Sequence, residues 1–423
     1  MSIPAPRTLT IGFAGTRVGE LRETNNVWSL EYDADWQGSA EGFDLSPALP
    51  RAQGLIVDGG SVRPVQWFFD NLLPEEGART LLARDVGVAQ ADAFGLLERY
   101  GPESAGALTL LPPGGNVRDG HLELLRDQVL SERIRALPRV PLSHGAPKRM
   151  SMAGAQHKLA VILDEGELWE PTGNLASTHI LKPDHQQSDL YPHSAINEWF
   201  VMSLAGAAGL PVPEVAMRYV PEPVYLIRRF DREGSPGSAR RLHVLDACQL
   251  LSLDAAFKYQ QATPATLRRL VEECRTRAAA RAALFRWAVF NVVVGNGDSH
   301  LKNISFLITP HGIELAPHYD LLSTTVYHQE GWARAELVTS MGQARYFGDV
   351  SRKEILAFGL ELGLPESVAG RMLQELADRI EREAALLLER HESGNYGAVN
   401  PGEARLLRQI VHGPIADTLR QLR

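Results

Sequence analysis

The chain has 423 residues, a length that fits about two or three domains. Hydrophobic residues make up 44% and charged residues 22%, which excludes disordered, fibrous and collagen-like proteins. The 43 basic and 51 acidic side chains give a net charge of −8, so the surface as a whole does not favour nucleic acid or anionic lipid.

The expected compartment follows from two further features of the sequence. Cys248 and Cys274 are the two cysteines, too few for a disulfide framework or a thiolate metal site in a chain of this length. The N-terminus lacks the apolar core of a signal peptide, and no run approaches the roughly 18 apolar residues that span a bilayer. We therefore expect a cytoplasmic protein without a membrane partner.

The part of the chain before residue 148 mixes short strands with helices. Alternating and three-to-four-residue apolar spacings predict two strands and three helices, and three prolines with one glycine then predict a linker. In chain order these segments are 9–14, 28–32, 65–72, 89–100, 127–137 and the linker 138–148.

Beyond the linker the pattern changes to an antiparallel β unit followed by helices. The predicted strands are 158–163, 168–169, 179–181 and 224–230, and the predicted helices are 195–206, 264–274, 278–294 and several within 352–390. The predicted fold is α+β and two-lobed, with a mixed N-terminal part and a mainly helical C-terminal lobe. The predicted domain boundaries are 1–145, 146–235 and 236–423.

Residues 151–158, with the sequence SMAGAQHK, form the first polar cluster. Small residues in a turn before a strand let backbone N–H groups approach an anion, as phosphate-binding loops do. The segment matches neither G-x-x-x-x-G-K-[ST] nor G-x-G-x-x-G, so the pattern alone is more typical of a plain tight turn.

The second cluster pairs Lys182, at the end of a short apolar strand, with Glu198 on the helix that follows. A lysine in this place can reach phosphate oxygens, and a carboxylate on the next helix can hold its ammonium group. The alternative is a solvated lysine with no fixed partner.

The third cluster combines a polar loop, residues 295–303, with a later aspartate. Asp298 and Asn303 are five residues apart, the separation of the Asp and Asn in the protein-kinase loop H-R-D-x-x-x-x-N. Asp320 follows 22 residues after Asp298, where a metal-binding aspartate is needed. This order predicts a general base followed by two oxygen ligands for Mg²⁺.

Other chemistries are open at the same residues. Ser299 could be a hydrolase nucleophile with His318 as its base, or Asp298, His300, His318 and Asp320 could bind the metal of a phosphohydrolase. Neither gives a role to Lys182 or to the small-residue loop. A purely structural role in capping turns is the third possibility.

Taken in order, these segments resemble the HipA family of serine/threonine kinase toxins. The resemblance rests on residues 151–158, 179–183, Asn197-Glu198, 226–232, 297–303 and Tyr319-Asp320, and upstream on 45–50, 69–74 and 101–108, which resemble the family's N-terminal domain. It implies a kinase-like fold, with ATP and Mg²⁺. It also implies a HipB-type helix-turn-helix antitoxin as partner, with DNA contacted only through that antitoxin. The implied substrate is an aminoacyl-tRNA synthetase, glutamyl-tRNA synthetase being the best-known case, whose modification causes growth arrest and persistence.

The resemblance also assigns roles to individual residues. Asp298 is the implied catalytic base, Asn303 and Asp320 are the implied Mg²⁺ ligands, and Ser151 is the implied self-phosphorylation site. The Lys182–Glu198 ion pair is our extension from ordinary kinases. The implied nucleotide contacts are Ser151, Ala153, Gly154, Ala155, Gln156, Lys158, Lys182, Arg229, Phe230, Asp231, His300 and Lys302.

A second hypothesis keeps the family but not the activity. The chain could be a catalytically idle corepressor that bridges antitoxin–operator complexes. The presence of Asp298, Asn303, Asp320 and Lys182 favours an active kinase.

A phosphate on Ser151 would add about −1.5 to −2 charges beside the nucleotide, and we expect it to act as an off switch.

Overall fold

The N-terminal part of the chain folds around a five-stranded antiparallel sheet with strand order β4-β3-β2-β1-β5. The structure is a computed structural model that describes residues 6–115, 119–148, 154, 156–397 and 400–423. The first elements are β1 (Arg7–Phe13), β2 (Thr16–Thr24), β3 (Val27–Tyr32), α1 (Ala34–Gly38), β4 (Leu55–Val57), α2 (Pro64–Asp70), α3 (Glu76–Val86), α4 (Ala93–Tyr100) and β5 (Leu108–Leu111). Leu9 and Ile11 alternate with more exposed residues along β1, so one face of the sheet is buried.

A six-stranded antiparallel sheet forms the second layer of β structure, with strand order β10-β11-β9-β7-β8-β6. Its elements are β6 (Leu122–Leu124), α5 (Asp127–Ala136), β7 (Leu159–Asp164), β8 (Glu167–Pro171), β9 (His179–Pro183), α6 (Ser194–Ala207), β10 (Val215–Tyr219) and β11 (Pro223–Arg228). The edge strand β6 precedes the predicted linker, so this sheet takes one strand from the segment predicted as the first domain. The domain boundaries remain a prediction.

The C-terminal lobe is mainly helical. It contains β12 (Arg232–Glu233), β13 (Arg240–Arg241), β14 (Val244–Asp246), α7 (Ala247–Leu250), α8 (Pro264–Glu273), α9 (Arg277–Val294), β15 (Ser305–Thr309), β16 (Gly312–Leu315), β17 (Glu336–Met341), β18 (Ala344–Tyr346), α10 (Arg352–Glu361), α11 (Glu366–Glu392), α12 (Pro401–Ile410) and α13 (Ala416–Leu422). The predicted α+β class is confirmed. Within the described ranges, no helix combines the length and apolar character needed to cross a bilayer.

Local sequence signals explain where the central helices begin and end. The hydroxyl of Thr263 accepts a hydrogen bond from Thr266 N, and Pro264 occupies the first turn of α8. Helix α9 ends at Gly295, whose φ of +69° lies in the left-handed region. A Cβ at Gly295 would lie 2.0 Å from the side-chain oxygen of Thr325, so only glycine fits there.

One predicted helix begins later than the sequence spacing indicates. The apolar spacing predicts a helix over residues 89–100, whereas α4 begins at Ala93. The side chain of Asp92 accepts a hydrogen bond from Gly95 N, and Asp92 N donates to Ala89 O. Asp92 therefore caps the helix and closes a turn before it, a local interaction that apolar spacing does not reveal.

Two hydrophobic clusters join these layers. The larger runs from the N-terminal sheet through α6 to the buried helix α9 and includes Leu30, Phe200 and Val293. The smaller lies between the six-stranded sheet and α5 and includes Leu130 and Val161. Because the larger cluster is continuous, the N-terminal part and the helical lobe share one core.

His243 lies within this shared region and gives the fold a pH dependence. Its ring stacks on Phe43 with centroids 4.5 Å apart, and its Nε2 lies 2.9 Å from Leu45 O. Complete burial lowers the pKa of His243 to about 4. The unfolded chain therefore binds a proton below about pH 6.5 that the folded chain does not bind, and stability falls as the pH falls.

We expect His243→Gln to reduce this pH dependence. Glutamine keeps a donor for Leu45 O but does not titrate. Between pH 7 and pH 5 the wild type should lose about 2 kcal/mol more unfolding free energy than the variant, because one His proton is linked to unfolding over that interval. Urea unfolding at the two pH values measures the difference. Equal losses in the two proteins would contradict it.

Candidate active site

The loop after α9 is fixed by hydrogen bonds from buried asparagines. Asn291 Oδ1 accepts from Asn296 Nδ2 at 2.7 Å, and Asn296 Oδ1 accepts from Asp298 N at 3.0 Å. Gly297 N donates to Thr324 Oγ1 at 2.6 Å. A buried apolar helix thus presents a polar loop whose backbone geometry is set by its own side chains.

Asp298 and Asn303 face each other across this loop. Asn303 Nδ2 donates to the backbone oxygen of Asp298 at 2.8 Å, which leaves the amide oxygen of Asn303 as a potential metal ligand. The carboxylate of Asp298 is 41% exposed, and Tyr259 Oη donates to its Oδ1 at 2.5 Å. Partial loss of hydration in the site raises the pKa of Asp298 to about 6, whereas the hydrogen bond from Tyr259 acts in the opposite direction.

Asp320 reaches the same region from the hairpin of β15 and β16. The preceding residue, Tyr319, donates from its hydroxyl to Lys302 O at 2.8 Å and thereby ties the hairpin to the loop. Asp320 has a φ of +58°, in the left-handed region that non-glycine residues rarely adopt. Backbone strain of this kind concentrates at functional sites.

Lys182 lies between two carboxylates in the candidate cleft, which we define as the region between Lys182, Glu198, Asp320 and Asp298. Its Nζ lies 2.8 Å from Glu198 Oε1 and 2.5 Å from Asp320 Oδ1. Burial opposes the charge on Lys182, but Asp320 and Glu198 outweigh it and raise its pKa. Burial likewise opposes the charge on Asp320, but Lys182 holds the pKa of that carboxyl well below its usual range. Asp320 is therefore ionised and the ammonium group is fixed.

Helix α6 also holds the segment that follows Asp320. Asn197, next to Glu198, donates from Nδ2 to Ser323 O and to Tyr327 Oη, both at 2.9 Å, and its Oδ1 accepts from Ser323 N at 2.8 Å. One turn of α6 thus holds Lys182 through Glu198 and the segment after Asp320 through Asn197.

The predicted nucleotide loop is described only in part. Ser151, Ala153 and Ala155 lie outside the described residues. Gly154 has a φ of +106°, and a Cβ there would lie 2.7 Å from Lys158 Nζ. Gln156 Nε2 donates to Pro183 O at 3.2 Å. Burial and the nearby Lys182 lower the pKa of Lys158 to about 8, so a second cationic side chain lies beside the first.

Three of the implied nucleotide contacts, residues 229–231, have two different environments. Phe230 is half-buried and stacks on Tyr319, with centroids 5.5 Å apart, next to Asp320. Arg229 and Asp231 are instead buried together in a two-pronged ion pair of 2.9 and 2.7 Å. Asp231 also accepts from Gly106 N at 2.8 Å, so this pair joins the interlobe connection to the N-terminal part.

A buried glutamate completes that connection. Glu103 is fully buried and pairs with Lys148, Arg229, Arg232 and Arg241. Its four cationic neighbours hold the pKa of Glu103 well below its usual value, although burial opposes the charge. Arg229 and Asp231 are therefore paired with groups of the protein, whereas the half-buried Phe230 stacks on Tyr319.

Lys302 and His300 are both buried and contact other residues of the protein. Lys302 Nζ donates to Asn71 O and Asn71 Oδ1 at 2.8 Å and to Asp246 Oδ2 at 2.9 Å. His300 is buried against the ring of Tyr259, with centroids 4.9 Å apart, and burial lowers its pKa to about 4. Lys302 Nζ therefore has three acceptors within the protein, and its nucleotide contact stays a prediction.

Sequence reasoning missed three residues of this site: Glu75, Lys258 and Tyr259. Lys258 pairs with Glu75, and Tyr259 donates to Asp298. Glu75 lies 183 residues from Lys258, and Tyr259 lies 39 residues from Asp298. The motif-like segment 69–74 ends one residue before Glu75, but no local pattern indicates these distant partners.

The alternative hydrolase sites are not assembled. His318 is buried against Trp287, with centroids 6.2 Å apart, and its Nε2 has no hydrogen-bond partner in the part of the chain that the structure describes. Among those same residues, no three His, Cys, Asp or Glu side chains are grouped as a hydrolytic metal site requires. Asp320 and Asn303 carry carboxylate and amide oxygens, the donor types that Mg²⁺ prefers.

Comparison with known proteins decides the family. Residues 9–111 match the family described as HipA N-terminal domain, and residues 150–384 match the family described as HipA-like C-terminal domain. The chain belongs to the HipA family of serine/threonine kinase toxins. The resemblance seen in the sequence is thereby confirmed.

Relatives share nearly the whole chain. The serine/threonine-protein kinase toxin HipA of Shewanella oneidensis is 31% identical over 402 residues, which cover 90% of this chain and 89% of the relative. The putative kinase Y4mE of Sinorhizobium fredii is 33% identical and covers 90% and 92%. The Shewanella oneidensis HipA in a solved complex with HipB and operator DNA has a TM-score of 0.81, 28% identity and 97% coverage of both chains.

Proposed function

We propose that this HipA-family protein is an active kinase that transfers the γ-phosphoryl group of ATP to a serine or threonine of a protein substrate, with Mg²⁺. The observation that carries the proposal is the cleft itself. Lys182 is held between Glu198 and Asp320, and Asp298 lies at the exposed mouth of the same cleft. A catalytically idle member would not need this arrangement of charges.

The residues divide the reaction between them. Asp298 accepts the proton of the substrate hydroxyl, whose oxygen forms a bond to the γ-phosphorus while the bond between the β–γ bridging oxygen and that phosphorus breaks and ADP leaves. Lys182 contacts phosphate oxygens. Asn303 and Asp320 would hold Mg²⁺, which neutralises phosphate charge when bound. Phe230 supplies an apolar surface for the adenine ring of ATP.

We infer the partners from the family rather than from the cleft. The solved relative is in a complex with HipB and operator DNA, which supports a HipB-type antitoxin and a DNA contact made through it. We propose an aminoacyl-tRNA synthetase as substrate, with glutamyl-tRNA synthetase the first to test. Its modification would stop translation in the cytoplasm and arrest growth. Self-phosphorylation of Ser151 stays a prediction, because that residue lies outside the described part of the chain.

Phosphoproteomics of cells briefly expressing the protein tests this function. We expect one dominant serine or threonine phosphosite, on a synthetase, that is absent when Asp298→Asn is expressed at the same level. Purified protein with Mg-ATP and that synthetase should reproduce the site. Equal phosphoproteomes with the two proteins, together with no ATP consumption in vitro, would favour the idle corepressor instead.

A further inference from the structure

The turn that links α2 to α3, residues 71–75, lies against three segments of the proposed active site. Glu75 N donates to Gly154 O at 3.2 Å, so the turn contacts the nucleotide loop. The Glu75 carboxylate pairs with Lys258. Asn71 accepts two hydrogen bonds of 2.8 Å from Lys302, which lies in the loop between Asp298 and Asn303.

We propose that this turn of the N-terminal domain positions the catalytic base, acting through Glu75, Lys258 and Tyr259. The inference rests on the proposed kinase activity for its kinetic consequence. Glu75 and Tyr259 are positioning residues, because neither needs to touch the reacting atoms. The N-terminal domain then becomes part of the kinase mechanism as well as part of the shared core.

The first step is a buried ion pair between domains. The side chains of Glu75 and Lys258 are only 12% and 9% exposed. A second oxygen of Glu75 lies 3.4 Å from Lys302 Nζ and has no other hydrogen-bond partner among the described residues. One carboxylate thus faces two lysines of the helical lobe. Removing the charge of Glu75 would leave the two buried ammonium groups with less compensating negative charge. This loss costs free energy and allows the lysine side chains to move.

The second step connects Lys258 to the catalytic loop. The backbone oxygen of Lys258 accepts a hydrogen bond from Leu301 N at 3.2 Å. Its ammonium group also lies 5.1 Å from the ring centroid of Tyr259, and that ring packs edge-on against His300. A fixed Lys258 therefore fixes both the backbone of the loop and the ring of Tyr259.

The third step reaches the base. Tyr259 Oη donates to Asp298 Oδ1 at 2.5 Å, which holds the carboxylate in one orientation. A carboxylate bound through one oxygen keeps the other for the substrate hydroxyl. Small displacements of a reacting group cost rate steeply, by about 100-fold for about 1 Å. Loss of this contact should therefore lower turnover without preventing nucleotide binding.

Kinetics of Glu75→Gln, Tyr259→Phe and the double variant test the chain of contacts. Each single variant should lower kcat at least about tenfold, with the dissociation constant for Mg-ATP within about twofold of wild type. The double variant should be no more than about twofold worse than the poorer single variant, because both act on one path. Asp70→Asn is the matched control: it breaks the 2.7 Å Arg79–Asp70 ion pair of the same domain and should leave kcat unchanged.

Hydrogen–deuterium exchange gives a readout that does not need activity. Amides of residues 296–303 should exchange faster in Glu75→Gln than in wild type, and Asp70→Asn should match wild type. Unchanged exchange in Glu75→Gln, or losses of kcat that simply multiply in the double variant, would overturn the inference. If wild type transfers no phosphate but the exchange result holds, the positioning contact stands and the proposed kinase activity fails.

Discussion

Asp298→Asn is expected to lower phosphoryl transfer by about 10²- to 10⁴-fold while Mg-ATP still binds. The amide has the shape of the carboxylate but cannot accept a proton. The surrounding contacts should persist, because Tyr259 can donate to the amide oxygen and Asn303 donates to the backbone oxygen of residue 298. Initial rates at saturating ATP, together with a nucleotide titration, measure the two effects separately.

A matched control separates this loss from a general effect of removing an aspartate. Asp378 lies on the exposed face of α11 and its side chain accepts only from Gln374 among the contacts described. Asp378→Asn should transfer phosphate at the wild-type rate, and all three proteins should unfold at similar temperatures. Undiminished transfer by Asp298→Asn would remove this residue from the role of base.

The residues that sequence could identify lie on elements with strong local signals. Asp298 and Asn303 follow a long apolar helix within one short loop, so their spacing is visible in the chain. Lys182 ends a short apolar strand, and Glu198 lies on the next predicted helix. For these residues the elements themselves bring the side chains together, and the chain order is enough to predict the neighbourhood.

The residues that sequence could not identify depend on packing between distant segments. Tyr259 lies in a stretch without periodic pattern and meets Asp298 because α9 returns the chain to it. The orientations of the Arg229 and Lys302 side chains depend on distant packing in the same way, and their nucleotide roles stay predictions. Arg229 contacts distant Glu103 as well as its near neighbour Asp231, and Lys302 contacts Asn71; Glu103 and Asn71 are each more than 50 residues away in the chain. A motif fixes residue identity, but the direction of a buried side chain follows from its charge partners.

Asp320→Asn should reduce the metal dependence of nucleotide binding, a result that a general loss of structure cannot produce. With Mg²⁺ present, ATP affinity should fall at least about tenfold, because one of the two metal ligands loses its charge. Without Mg²⁺, the variant should bind ATP as tightly as wild type or more tightly. Without the metal, the Asp320 carboxylate of the wild type repels the phosphates. It also competes with them for Lys182, whose Nζ lies 2.5 Å from Asp320 Oδ1. Titrations of a fluorescent ATP analogue with Mg²⁺ and with a chelator measure the two affinities.

Glu198→Gln is the comparison, since it also removes a carboxylate from Lys182 but no proposed metal ligand, and its ratio of the two affinities should stay near that of wild type. Equal losses of affinity with and without the metal in Asp320→Asn would contradict the ligand role.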